Sequence, residues 1–252
     1  MILLRNTLAL LACSIATSFS QAATVHVVFD SPIFNGSGYD NSFITFPKQG
    51  QSNAFTTENV LAGRFQGTAS NVVGVPASIF VDGLNDLYMY CYDVYEDINN
   101  GSVVDYTINL DGERDRTRDF LGAVNAVMNA GKTSYDQYAW LHPVSGAQGA
   151  AIQLGIWESL YESSPDWNIG TGSFKASDLD SGTSTWLNSF FSKIDSSDSV
   201  DKKCVMTLEA AGAQDMITGD PPAAVPEPGS LVLVGVALAA LAGTLRKKGV
   251  PA

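Results

Sequence analysis

The hydrophobic period changes part-way along this chain, and that change restricts the fold more than any other feature of the sequence. Up to about residue 110 the apolar residues come in short β-branched or alternating runs, at 24–29, 42–46, 71–75, 87–95 and 103–110, broken by Gly, Asn, Asp and Ser. From Thr117 the spacing becomes helical: Phe120, Leu121, Val124, Val127 and Met128 fall on one side of a segment that stops at Gly131. A second helix is predicted over about 148–162, with Pro165 beyond its end, and a third over 184–194, carrying Trp186, Leu187, Phe190 and Phe191. Residues 203–208 read as a returning strand, and there is no internal repeat. This order predicts an α+β domain, an antiparallel β-sandwich or irregular barrel with a helical subdomain inserted between about residues 115 and 195.

The two ends do not belong to that domain. Residues 1–22 combine a lone Arg5, an apolar run at 8–15 and the small-residue finish Ser20-Gln21-Ala22, the layout of a cleaved secretory signal. Residues 219–229 form a Pro-rich linker. Residues 230–245 are apolar on all sides and are followed at once by Arg246, Lys247 and Lys248. The run is short for a spanning helix, but the basic cluster makes it a membrane anchor with a cytoplasmic tail at 246–252. The globular body is then 23–218, long enough for one sizeable core.

Composition excludes several functions. The chain has 14 Lys+Arg against 26 Asp+Glu. Without Arg5, Arg246, Lys247, Lys248 and Glu227 there remain ten basic against twenty-five acidic side chains, a charge that repels nucleic acid. Two histidines, His26 and His142, cannot build a His-rich metal site, and no cofactor is expected. Cys13 lies in the signal, so only Cys91 and Cys204 remain, too few for a four-cysteine zinc site. In an oxidising compartment two such cysteines pair, and a Cys91 to Cys204 disulfide would join two predicted strands.

The carboxyl end, with Val225-Pro226-Glu227-Pro228, then the apolar run, then the basic cluster, resembles the PEP-CTERM sorting tail of Gram-negative bacteria. The resemblance implies an inner-membrane exosortase as partner. It would cleave near Pro226, Glu227 and Pro228 and release the protein to the cell surface or the extracellular polymeric matrix.

Within the body, Cys91 sits mid-strand among Tyr88, Tyr90 and Tyr92. Gln153 lies on the second helix, on one face with Trp157, Leu160 and Tyr161, where an amide must find a partner or be costly. Tyr90-Cys91 and Gln153-Leu154-Gly155-Ile156-Trp157, with Gly155 where alanine is usual, resemble the two elements of the bacterial thioester domain over roughly residues 80–165. That resemblance implies an internal thioester between Cys91 and Gln153, formed with loss of ammonia and shielded from water by Tyr90 and Trp157. The protein would then be a single-use covalent adhesin, not an enzyme, capturing surface amine or hydroxyl groups of a protein or polysaccharide. The alternative is a non-reactive structural matrix or biofilm protein held by the Cys91 to Cys204 disulfide.

Weaker constellations are Cys91 with His142 as nucleophile and base, and Glu158 with Asp166 as a glycosidase pair. The acidic turn of Asp93, Glu96, Asp97, Asn99 and Asn100 lacks EF-hand spacing and reads as an ordinary polar turn. Trp157 and Trp186 read as core, whereas Trp167 is the tryptophan expected to be exposed.

Overall fold

A computed structural model describes residues 22–220. The expected signal, the apolar run at 230–245 and the Pro-Glu-Pro element lie outside the described residues. Among the described residues no helix is long and apolar enough to cross a membrane.

The chain begins with β1 (Thr24–Phe29), where alternation buries Val25, Val27 and Phe29 on one face. β2 (Tyr39–Lys48) and β3 (Gln51–Gly63) form a long antiparallel hairpin, and β4 (Phe65–Val73) follows almost at once. β5 (Leu87–Cys91) and β6 (Val103–Asn109) precede the helical block. That block holds α1 (Asp115–Met128), α2 (Gly146–Tyr161), the short strand β7 (Lys175–Ser177) and α3 (Ser181–Phe191). β8 (Val205–Ala210) and β9 (Ala213–Gly219) close the body.

Six strands form a closed barrel in the order β1-β4-β5-β9-β8-β6, and β3-β2-β7 make a separate three-stranded sheet. Of the two expected β architectures the barrel is therefore the one present. Closure leaves no free edge on that sheet. The three-stranded sheet, by contrast, leaves β3 unpaired along one side.

α2 lies at the centre of the molecule. Ser145 caps it by accepting from the Gln148 amide. Every residue from Gln148 to Leu160 is buried, including the polar Gln148, Gln153, Glu158 and Ser159. It packs against α1, α3, β2 and β3. Gly155 makes the α1 crossing close: a Cβ there would fall inside the Phe120 ring, which explains why this position is not alanine.

The structure differs from the sequence reading in several places. β3 and β9 have no counterpart in the predicted strands, because β3 is rich in polar residues and β9 follows a two-residue turn after β8. β4 starts at Phe65 rather than residue 71, and β5 stops at Cys91, where the chain turns away through Asp93. β9 extends to Gly219, into the stretch read as linker.

The disulfide of the alternative reading is absent: Cys91 and Cys204 are both free thiols. The two cysteines sit on opposite flanks of β9. Cys91 pairs with Met216, whereas Val205 pairs with Gly219, which sets Cys204 beside Asp220. Four residues along a strand separate them by about 13 Å. That exceeds the roughly 7 Å between Cα atoms that a disulfide can span. The Cys204 thiol instead approaches Gln137 Oε1 at 3.7 Å.

Candidate functional site

β4 pairs with β5 only as far as Phe65 opposite Met89, because the chain then departs into β3. The ladder on that side of β5 therefore ends two positions short of Cys91, while β9 continues on the other side. Gln153 of α2 fills the missing place. Its Oε1 accepts from the Cys91 N–H at 2.9 Å, and its Nε2 donates to the Cys91 carbonyl at 2.9 Å. The side-chain amide thus does for Cys91 what a neighbouring strand's peptide would do, and both residues are fully buried. Two residues sixty-two positions apart in sequence are locked together.

Strand alternation sends Leu87, Met89 and Cys91 to the barrel interior and Tyr88 and Tyr90 to the opposite face. Tyr90 packs on Trp140 and donates its hydroxyl proton to the Trp140 carbonyl. It supports the strand from behind and does not line the space in front of the thiol. Trp157 does line that space. It lies one helical turn beyond Gln153, is almost fully buried, and donates through Nε1 to the Asp93 carbonyl at 3.2 Å. Tyr92 turns toward α1, where its hydroxyl accepts from the Arg114 amide.

Cys91 and Trp157 form part of the wall of a cavity of about 530 Å³, shared with Phe34, Phe65, Ile98 and Gln214. Glu58, Glu96 and Asp97 border it, so an apolar floor meets an acidic rim. Burial, reinforced by repulsion from Asp93 and Asp97, pushes the Cys91 thiol well above its usual range. The sulfur therefore keeps its proton at neutral pH.

The residues of the weaker constellations have other partners. His142 stands edge-on to Tyr88 and bonds Asp82, on the strand face away from Cys91. Glu158 is fully buried, with Oε1 accepting from the Asn168 amide, and Arg116 bonds the main-chain carbonyl of Asp166 rather than its carboxylate. Burial raises the Glu158 carboxyl to about 7. In the acidic turn, Asp93 accepts from the amides of Tyr95, Glu96 and Asp215, and Glu96 accepts from Gly212. No cluster of metal-ligating side chains occurs among the described residues. Trp167 is not an exposed contact: it is half-buried, stacks on Phe120 and carries the Arg116 guanidinium over its ring. The residues missed from sequence are those of β3 along the cavity, whose signal was the β-branched pair Thr56-Thr57 before Val60.

The carboxyl end carries a sorting signal of its own. Residues 224–247 match the PEP-CTERM protein-sorting motif. Pro226, Glu227 and Pro228 fall within the sorting motif. It marks the protein for export through the membrane toward the cell surface, with exosortase processing and a carboxyl-terminal anchor. No curated protein and no solved structure matches the chain.

Proposed function

We propose that the exported body is a covalent adhesin whose Cys91 and Gln153 condense to an internal thioester. The observation that carries this reading is the paired hydrogen bonding of the Gln153 amide to the Cys91 main chain, both residues being buried. In the condensation the Cys91 sulfur bonds to Gln153 Cδ, the Cδ–Nε2 bond breaks, and nitrogen leaves as ammonia with the thiol proton. The Cys91 N–H already points at Oε1, so it donates to the oxyanion of the tetrahedral adduct, as an oxyanion-hole donor does. Because the thiol is held protonated, attack and proton transfer to nitrogen go together. A slow reaction suffices for a group made once per molecule.

The product is an acyl group kept from water by Trp157 and the cavity's apolar floor. An arriving surface amine or hydroxyl attacks Cδ and returns a proton to sulfur, leaving a covalent link at Gln153 and a free Cys91. No second turnover follows, so the body acts as a reagent and not as an enzyme. Retention at the cell surface or in an extracellular matrix is the setting in which single-use capture is useful.

Intact mass of the purified protein tests the reading. The expected result is a deficit of one ammonia, absent in Cys91→Ala and in Gln153→Ala, with methylamine adding at Gln153. A native mass equal to the processed sequence overturns the reading, and leaves a non-reactive structural surface protein. The raised thiol range of Cys91 favours that second reading.

A further inference from the structure

We infer that the free edge of β3 receives an extended peptide segment of a protein partner as an added strand, which presents a lysine to Cys91 and Gln153. The reactive chemistry rests on the proposed thioester; the docking mode does not.

The inference starts from an unpaired strand. β3 is thirteen residues long and is bonded along one side only, to β2. Among the described residues no other main-chain hydrogen bond reaches 53–63. Such an edge offers a row of unused donors and acceptors, the template for strand addition.

This edge borders the Cys91 cavity. Glu58, Asn59, Val60 and Leu61 line it from one side, and the loop from Val94 to Asn100 lines it from the other. A second cavity continues it, sharing Glu58, Val94 and Asp97 and reaching Thr56 and Lys48. Together they make a groove that follows β3 from Leu61 to Thr56, about 17 Å of extended chain. A groove that runs along a strand edge for that distance fits a peptide in β conformation better than a compact sugar or a helix.

Charge selects the side chain to be delivered. Glu58 and Asp97 stand at the junction of the two cavities, and Glu96 borders the inner one. No Lys or Arg lines the inner cavity. A lysine carried by the added strand is drawn between these carboxylates toward the floor, where Cys91 lies. One of these carboxylates takes a proton from the ammonium, the freed amine nitrogen bonds to Gln153 Cδ, the Cδ–S bond breaks, and a second proton from nitrogen passes to the Cys91 sulfur.

The test uses an eight-residue labelled peptide rich in threonine and valine with one central lysine, and two analogues N-methylated at alternate amides, one in each phase. Fluorescence anisotropy on full-length Cys91→Ala measures docking without capture. Binding should fall at least tenfold for one methylated phase and stay near the parent for the other, since only alternate amides of an added strand face β3. A parallel series with acetyl-lysine on the unaltered protein covers failure of the variant to fold, and should show the same dependence on phase. Equal loss in both phases, or no binding by any peptide in either series, overturns the proposal. Phase-dependent docking without a mass adduct on the unaltered protein would refute the thioester reading and leave the docking mode standing.

Discussion

Gln153→Ala, made in a Cys91→Ala background where no thioester can form, isolates the amide's structural contribution. The change removes the acceptor for the residue 91 N–H and the donor for its carbonyl, and both groups are buried. Leaving one such group unpaired costs about 1–3 kcal/mol, so the two together cost about 2–6 kcal/mol. Alanine returns only a few tenths through helix propensity. Against a total stability of about 5–15 kcal/mol this is a large loss, read as a drop of about 1–2 M in the urea midpoint. Tryptophan fluorescence during urea unfolding measures it. Gln153→Met separates the causes, since it keeps most of the side-chain volume and no hydrogen bond. It should cost nearly as much as alanine if pairing dominates. A shift below about 0.5 kcal/mol for both variants would refute the argument that Gln153 completes the β5 ladder.

Gly155→Ala should destabilise the body by about 1–3 kcal/mol despite alanine's better helix propensity, because the new methyl displaces Phe120; Phe120→Leu in the same chain should recover part of the loss. Glu158 binds its proton more tightly when folded, with a carboxyl raised to about 7, so stability should decline as pH rises from about 4.5 through 7. Thermal melts across that range should show the decline, and Glu158→Gln should flatten it. Replacing Pro226, Glu227 and Pro228 with alanine should leave the protein uncleaved in the membrane fraction, as followed with an antibody to the body; unchanged release would contradict exosortase recognition. Alkylation of the denatured protein before any reductant should label Cys204, since its thiol is unpaired.

The legible parts of the fold were those with a strong hydrophobic period. The three helices lie within a few residues of their predicted spans, since Phe120, Leu121 and Val124 do form the buried face of α1. β1, β5 and β6 were visible through β-branched and aromatic runs. β3 was not visible, because its outer face is solvated and its edge unpaired, so Thr, Asn and Glu occupy it without penalty. Pairing of Cys91 with Gln153 was legible only as residue types in a familiar order. The reason they meet, the early end of β4, is a property of the sheet register that no local pattern encodes. Likewise the absent disulfide follows from a four-residue offset along β9, a strand whose place in the barrel cannot be read from the sequence around either cysteine.

The position of β9 has a consequence for timing. It is the last strand among the described residues and sits between β5 and β8, so the barrel stays open until residues 213–219 insert. Cys91 borders that gap, and its partner across it is Met216. A chain crossing a membrane amino end first delivers β9 last, immediately ahead of the sorting motif. The body therefore finishes assembling only when almost the whole of it has emerged, with its carboxyl end still tethered. Enclosure of the cysteine is thereby coupled to completed export, and a truncated or stalled chain would carry an open barrel and an unprotected thiol.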